Sequence, residues 1–176
     1  IGKNKSSTDA YRDYCICLET LGPLAHYVTI NISSPNTPGV RDLQKRGQIE
    51  GLVKSLYKIK SNNQGLESKP IILKISPDLK EEQKRDIALT SLAQGIDGII
   101  ISNTTVSRPN SLNDKKQINQ KGGLSGKPLF DSSTLLLKEM YNFTNGKIPL
   151  IGVGGISSGR DAYEKIKAGA SLIQLY

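Results

Sequence analysis

Apolar positions along the chain fall into two alternating rhythms. Short continuous runs rich in Val and Ile occur at 27–32 (YVTINI), 71–75 (IILKI), 98–102 (GIIIS), 149–153 (PLIGV) and 171–175 (SLIQL). Runs of this length and β-branched content predict strands covered on both faces, as in parallel sheets. Between them, apolar residues recur at helical spacing. Ala10, Tyr14, Cys17, Leu18 and Leu21 share one predicted face, opened by Ser7, Thr8 or Asp9 as cap and closed by Gly22-Pro23. Ile49, Leu52, Val53 and Leu56 form a second stripe, and Ile87, Ala88 and Leu92 a third, after Pro77-Asp78 and before Gly95. Leu135, Leu136, Met140 and Phe143 carry a fourth, ended by Asn145-Gly146. Ser158 with Asp161 resembles a capping box that opens a short helix through Ile166.

Strand, loop, helix, five times over, predicts an α/β fold with right-handed crossovers. A doubly wound sheet and a (β/α)8 barrel both fit that rhythm. The polar residues separate them, because they follow several different strands: Asn31 to Thr37, Lys74 to Ser76, Ser102 to Thr105, and Gly152 to Gly155. A barrel gathers the C-terminal ends of all its strands into one ring, whereas an open sheet leaves some far from its crevice. The expectation is therefore a TIM barrel, of which these 176 residues supply roughly five βα units. The chain starts without methionine and stops on the strand-like SLIQLY, so it reads as residues 1–176 of a partial barrel, an internal segment lacking the first strands and the C-terminal end.

Charge changes the picture only slightly. There are 24 Lys and Arg against 16 Asp and Glu, a net charge of +8. An anionic partner or a solvated basic surface would each account for it. The basic residues, among them Lys58, Lys60, Lys69, Lys80, Lys84, Arg85, Lys115 and Lys116, are scattered, and with no Trp and two Phe there is no platform for stacking bases. Nucleic acid is not an expected partner. Cys15 and Cys17, two apart on a helix, diverge and fit neither a redox motif nor a metal site, so buried free thiols are expected. The single histidine, His26, rules out a His-paired metal site, is expected at a surface or strand edge, and makes a Ser–His triad improbable. No run approaches the length of a membrane span. A long polar connection at 105–128 carries no helical stripe; its GGLSG end is expected to face a ligand and its NDKKQINQK stretch to be solvated.

Three features carry chemistry. GVGGISSGRDA (152–162) joins a strand to a helix through glycines, a geometry that lets backbone N–H groups approach a phosphate. It has neither the Walker lysine nor GxGxxG spacing, and a tight strand-to-helix turn explains it equally well. Lys74 interrupts a buried strand, and a buried ammonium is costly unless it meets an anion or strong acceptors. Asn31, Asn36, Asn103 and Thr104 stand at strand ends, where amides and hydroxyls suit a planar polar ring such as a pyrimidine.

Taken in order, NISSPNTPG, LKISPDL, ISNTTVSRP, GGLSGKPL and IGVGGISSGRDAYEKIKAGASLIQLY resemble dihydroorotate dehydrogenase of class 2, the membrane-associated, quinone-linked class. The resemblance covers the whole chain. It implies a flavin mononucleotide (FMN) enzyme that oxidises dihydroorotate to orotate in pyrimidine synthesis, with a ubiquinone-type acceptor. It also implies attachment to the mitochondrial inner membrane, or the bacterial cytoplasmic membrane, through a segment outside this chain.

Residue by residue, the resemblance implies that Ser34 is the catalytic base, a position held by cysteine in class 1. In that role Ser34 takes the C5 proton of dihydroorotate while hydride leaves C6. Asn31 matches a flavin and substrate ligand, and Asn36, Asn103 and Thr104 match substrate ligands. Lys74 matches the lysine beside the flavin pyrimidine ring. Ser102 matches a cofactor-binding position commonly held by threonine, a departure that keeps the hydroxyl. Gly126 and Gly155 match backbone contacts to FMN, and Tyr176 matches the first of a pair that holds its phosphate. Other members of the site fall outside 1–176, so this segment alone is expected to be inactive. Two other readings are another FMN barrel acting on reduced pyrimidines and a catalytically silent barrel used for binding.

Overall fold

Each apolar run becomes a strand of one sheet. The computed structural model describes residues 1–110, 112–113 and 117–176. In chain order its strands are β1 (Val28–Asn31), β2 (Ile71–Ile75), β3 (Gly98–Ile101), β4 (Leu150–Gly152) and β5 (Leu172–Ile173). They alternate with α1 (Ala10–Leu21), α2 (Arg46–Ser61), α3 (Glu81–Gln94), α4 (Phe130–Thr144) and α5 (Gly159–Lys167). All neighbours pair in parallel, and the spatial order β1-β2-β3-β4-β5 is the sequence order. A doubly wound sheet reverses direction at a switch point. This one does not, and its five βα units make a partial TIM barrel.

The strands show why both faces read as apolar. Ile30, Leu73, Ile75, Ile99, Ile101 and Leu150 are buried in the main core with Tyr14, Leu18 and the stripes of α2 to α4. Each such aliphatic side chain contributes about 1.5–3 kcal/mol on burial. Ile72, Ile100 and Val153, with Ile151 against them, form a smaller cluster apart from that core. Because side chains alternate along a strand, Asn31 shares the face of that second cluster, as do Lys74 and Ser102. Polar groups therefore continue an apolar inner face toward the C-terminal ends of the strands.

The stripe on α2 is buried as expected: Ile49, Leu52, Val53 and Leu56. Three other expectations shift. Leu21 is exposed on α1, where Tyr14 and Leu18 alone are buried and Cys15, rather than Cys17, packs against the core. Leu135 is exposed on α4 and Leu137 takes its place. On α5, for which no apolar face was expected, Ile166 points outward while Lys165 is fully buried. On α1 and α4 the centre of the expected face is kept, Tyr14 and Leu18 and then Leu136 and Met140, and only its edge residues change. Both cysteines are free and half-buried rather than buried, and His26 is exposed.

The caps are closer to expectation. Asp9 caps α1 by accepting from the Arg12 N–H (3.1 Å), and Asn145 ends α4 in the left-handed region (φ 50°). The last predicted strand, 171–175, shrinks to Leu172–Ile173. No helix among the described residues is long and apolar enough to cross a membrane.

Candidate functional site

The loop after β1 is organised around Asn31. From behind, the buried Tyr14 hydroxyl donates to the Asn31 carbonyl oxygen (2.7 Å), and the strand register sets Asn31 beside Lys74. The side-chain oxygen of Asn31 accepts from the Ser33 Oγ (2.9 Å) and from Asn103 Nδ2 (3.2 Å). Asn103 Nδ2 also donates to the Ser33 Oγ (3.0 Å), and its own oxygen accepts from the Thr104 N–H (2.8 Å). Ser33 is fully buried in this network. Ser33 is thus structural, and Ser34 is the hydroxyl that faces the cavity, where it accepts from the Asn36 N–H (3.3 Å).

Lys74 is half-buried, and burial pushes its ammonium below the ordinary lysine range. No carboxylate or other protein group among the described residues holds it. It is a charge available to whatever occupies the cavity.

Three residues the sequence reading did not single out hold the loops in place. Arg41 donates to the Ser33 carbonyl (3.2 Å), to the Thr104 carbonyl (3.2 Å) and to Asp78 (2.9 Å). Asp78 in turn accepts from the Thr105 hydroxyl and the Val106 N–H (2.9 Å). Gln44 accepts from the Ser76 N–H (2.8 Å). The loops after β1, β2 and β3 are thereby tied into one unit. The planar fork of guanidinium donors lets one arginine bridge three separate acceptors at once.

Another arginine gathers described parts of the long connection. Arg108 donates to the carbonyls of Ile118 (3.1 Å), Gln120 (2.9 Å) and Gly122 (2.8 Å). Thr105 and Leu124 exchange two backbone hydrogen bonds (3.1 and 2.7 Å), which returns GGLSG across Thr104. A Cβ on Gly123 would meet the Thr104 side chain at 1.8 Å, so glycine is required there. Ser125 and Gly126 line the cavity, as the ligand-facing expectation had it. Residue 111 and residues 114–116 of the NDKKQINQK stretch, including Lys115 and Lys116, lie outside the described residues.

At the other end, Val153 to Ser157 wrap the cavity with backbone. No hydrogen bond among the described residues uses the N–H of Gly154, Gly155 or Ile156. Gly155 (φ 74°) sits so close to α4 that a Cβ would meet the Phe130 backbone nitrogen at 2.6 Å. The capping box is realised with a shift: Ser158 accepts from the Asp161 N–H (3.1 Å), and Asp161 accepts from the N–H and hydroxyl of Ser157 (2.9 and 3.0 Å). Those Ser157 hydrogen bonds hold the Asp161 carboxyl below its usual range.

One cavity of about 690 Å³ joins both ends, a size usual for cofactor sites of ~300–1,000 Å³. All ten residues predicted for the site line it: Asn31, Ser34 and Asn36 from one loop, Lys74, then Ser102, Asn103 and Thr104, then Gly126, Gly155 and Tyr176. A donor set of this kind suits a flavin nucleotide: unpaired N–H groups for a phosphate, amides for a pyrimidine-like ring, and an unpaired ammonium. No group of three or more His, Cys, Asp or Glu that could hold a metal occurs among the described residues.

The family model described as dihydroorotate dehydrogenase matches residues 1–176. The chain belongs to the dihydroorotate dehydrogenase family. It is 53% identical over 178 residues to the mitochondrial dihydroorotate dehydrogenase (quinone) of Oryza sativa, covering all of this chain and 38% of that protein. It is 51% identical to the mitochondrial dihydroorotate dehydrogenase (quinone) of Mus musculus, covering all of this chain and 44% of that protein. For the dihydroorotate dehydrogenase (quinone) of Parvibaculum lavamentivorans the identity is 49%, over all of this chain and 49% of that protein. A crystal structure of DHODH in complex with ferulenol from Eimeria tenella superposes with a TM-score of 0.94 at 39% identity, over all of this chain and 50% of that one. The chain thus spans half or less of the length of these curated relatives.

For a dihydroorotate dehydrogenase, the residues missed in the sequence share one property. Arg41, Gln44, Asp78 and Arg108 act on backbone carbonyls, N–H groups and each other across loops. Neither hydropathy nor spacing marks such a residue. The only available signal was a cluster of charges beside turn residues, which surface loops also show.

Proposed function

We propose that the protein of which this chain is part oxidises dihydroorotate to orotate with FMN and passes the electrons to a ubiquinone-type acceptor, in pyrimidine biosynthesis. The observation that carries the reading is the convergence of all ten predicted site residues, from the ends of five strands and the loop after β3, on one cavity. The family membership and the quinone named for the relatives support the reaction and the acceptor.

The site divides into two parts. Gly154, Gly155 and Ile156 offer N–H groups to the phosphate, beside Gly126 and Tyr176. Lys74, Asn31 and Ser102 face the ring portion, and Asn36, Asn103 and Thr104 hold the substrate. When bound, the flavin supplies a two-electron acceptor for hydride from C6 of the substrate. Ser34 takes the C5 proton, and the C5–H bonding pair becomes the new C5=C6 double bond. A serine hydroxyl is a weak base at its ordinary pKa, so its own proton must pass to a further acceptor as it does so. The Arg41 clamp on the Ser33 carbonyl fixes the peptide leading into Ser34 and so its reach.

The remaining strands of the barrel, the rest of the site and the membrane attachment lie in sequence flanking this segment, which is inactive alone. The mitochondrial inner membrane is the proposed location, with the bacterial cytoplasmic membrane as the alternative, since relatives of both kinds match. The test is to purify the full-length protein and supply dihydroorotate with a soluble quinone. A yellow protein that turns over both substrates supports the reading. A colourless protein, or a flavoprotein inert toward dihydroorotate, refutes it.

A further inference from the structure

Lys165 is the one lysine fully buried among the described residues, and it lies outside the cavity lining. Taking an ammonium out of water costs several kcal/mol even after the protein relaxes. Among the described residues no carboxylate pairs with it. Asp131 on α4 and Asp161 on its own helix are the charges that face it, neither at ion-pair distance, and its ammonium lies 4.9 Å from the centre of the Phe130 ring. Methionine would fill the same space without the desolvation.

Its hydrogen bonds show where the charge acts. Lys165 Nζ donates to the Phe130 carbonyl (3.3 Å) and to the buried Ser133 hydroxyl. An ammonium only donates, so Ser133 accepts from it and retains a single proton of its own. That proton reaches the Gly154 carbonyl (3.2 Å) or the Phe130 carbonyl (3.1 Å), and Lys165 already serves the latter. In a trans peptide the C=O and the following N–H point in opposite directions. Drawing the Gly154 oxygen toward Ser133 turns the Gly155 N–H away from Ser133, and Gly155 lines the cavity.

We infer that Lys165, acting through Ser133, is a positioning residue for phosphate recognition: it aims the Gly155 N–H at the FMN phosphate and places a positive charge behind it. This rests on the proposed flavin site but goes beyond it, because neither Lys165 nor Ser133 lines the cavity. Burial lowers the Lys165 pKa to about 8. A bound phosphate dianion nearby therefore favours its protonated form, so FMN binding takes up a proton at pH 8 to 9 and riboflavin binding does not.

The experiment compares FMN with riboflavin, which lacks the phosphate, on the full-length protein stripped of flavin. Lys165→Met should weaken FMN tenfold or more and change riboflavin less than twofold. Ser133→Ala, which keeps the ammonium, should shift the ratio in the same direction by less, and it decides the matter if Lys165→Met does not fold. Calorimetry at pH 8.5 in buffers of differing ionisation enthalpy should show proton uptake with FMN in the parent and none in Lys165→Met. Variants that keep the parent's preference for FMN overturn this inference and leave the flavin site standing. Equal losses for both ligands reduce Lys165 to a packing role and overturn it too. A parent that binds neither flavin overturns both readings.

Discussion

The two ends of the cavity present different kinds of group. At the Asn31–Lys74 end the polar groups that line the cavity are side chains, on strands and on the loops that leave them. At the Gly154–Ile156 end they are backbone N–H groups, and the side chains that matter stand behind them. Side chains can present a pattern of donors and acceptors to a planar ring, whereas a phosphate needs only several N–H groups aimed at one point. The first end therefore tolerates little change in residue type, and the second little change in backbone conformation.

The comparison breaks most visibly at Ser34. In the full-length protein Ser34→Ala should retain flavin yet slow its reduction by dihydroorotate by ~10²–10⁴-fold, the usual worth of general-base assistance. Ser34→Cys should keep part of the activity. Stopped-flow absorbance measures both, and a loss for Ser34→Ala below about tenfold would remove Ser34 from that role.

At the other end the sensitive residue is Gly155. Gly155→Ala combines a positive φ with a Cβ 2.6 Å from the Phe130 nitrogen. Strain of this kind amounts to about 1–3 kcal/mol, so FMN affinity should fall roughly tenfold or more if the loop gives way. Fluorescence titration reads it, and an unchanged affinity would mean that the loop does not hold the phosphate.

Lys74 tests the side-chain end electrostatically. Lys74→Met keeps much of the bulk and removes a charge that no protein group among the described residues neutralises. The two-electron potential of the bound flavin should fall by ~30 mV or more, equivalent to ~1.4 kcal/mol. A variant that folds, binds FMN and keeps the parent potential would place the ammonium elsewhere.

The smallest effect is a pH dependence of stability that belongs to Lys165. Its folded pKa of about 8 lies below the ordinary 10.5. Between those values the unfolded chain holds more protons, so this group makes the flavin-free protein more stable as pH rises from 8 toward 10.5. Denaturant unfolding of the stripped full-length parent against Lys165→Met isolates the contribution. A difference that stays flat, or shrinks the parent's stability as pH rises, contradicts the buried charge.

What could be read in the sequence follows the same division. Lys74 was legible because a charge in IILKI breaks an apolar run, and Asn31, Asn36 and Asn103 because polar groups gather at strand ends. The strand order followed from the polar residues gathered after several strands, since the rhythm of runs and stripes alone also fits a doubly wound sheet. Lys165 was hidden because lysine on a helix is ordinarily solvated and EKIK offers Ile166 as the apolar choice. The structure rotates α5 so that Lys165 enters the core and Ile166 remains 43% exposed. Ser133 and Gln44 were hidden for a related reason: their partners are backbone atoms 21 and 32 residues away, set by packing rather than local pattern.

The central claim, that this cavity belongs to a site oxidising dihydroorotate, is tested most directly without any quinone. Oxidised full-length protein is mixed anaerobically with dihydroorotate or with dihydrouracil, which lacks the carboxylate, and the flavin absorption band is followed in time. The account predicts rapid bleaching by dihydroorotate and little or none by dihydrouracil. Bleaching by dihydrouracil as fast as by dihydroorotate, or a flavin band that dihydroorotate leaves unchanged, would contradict it.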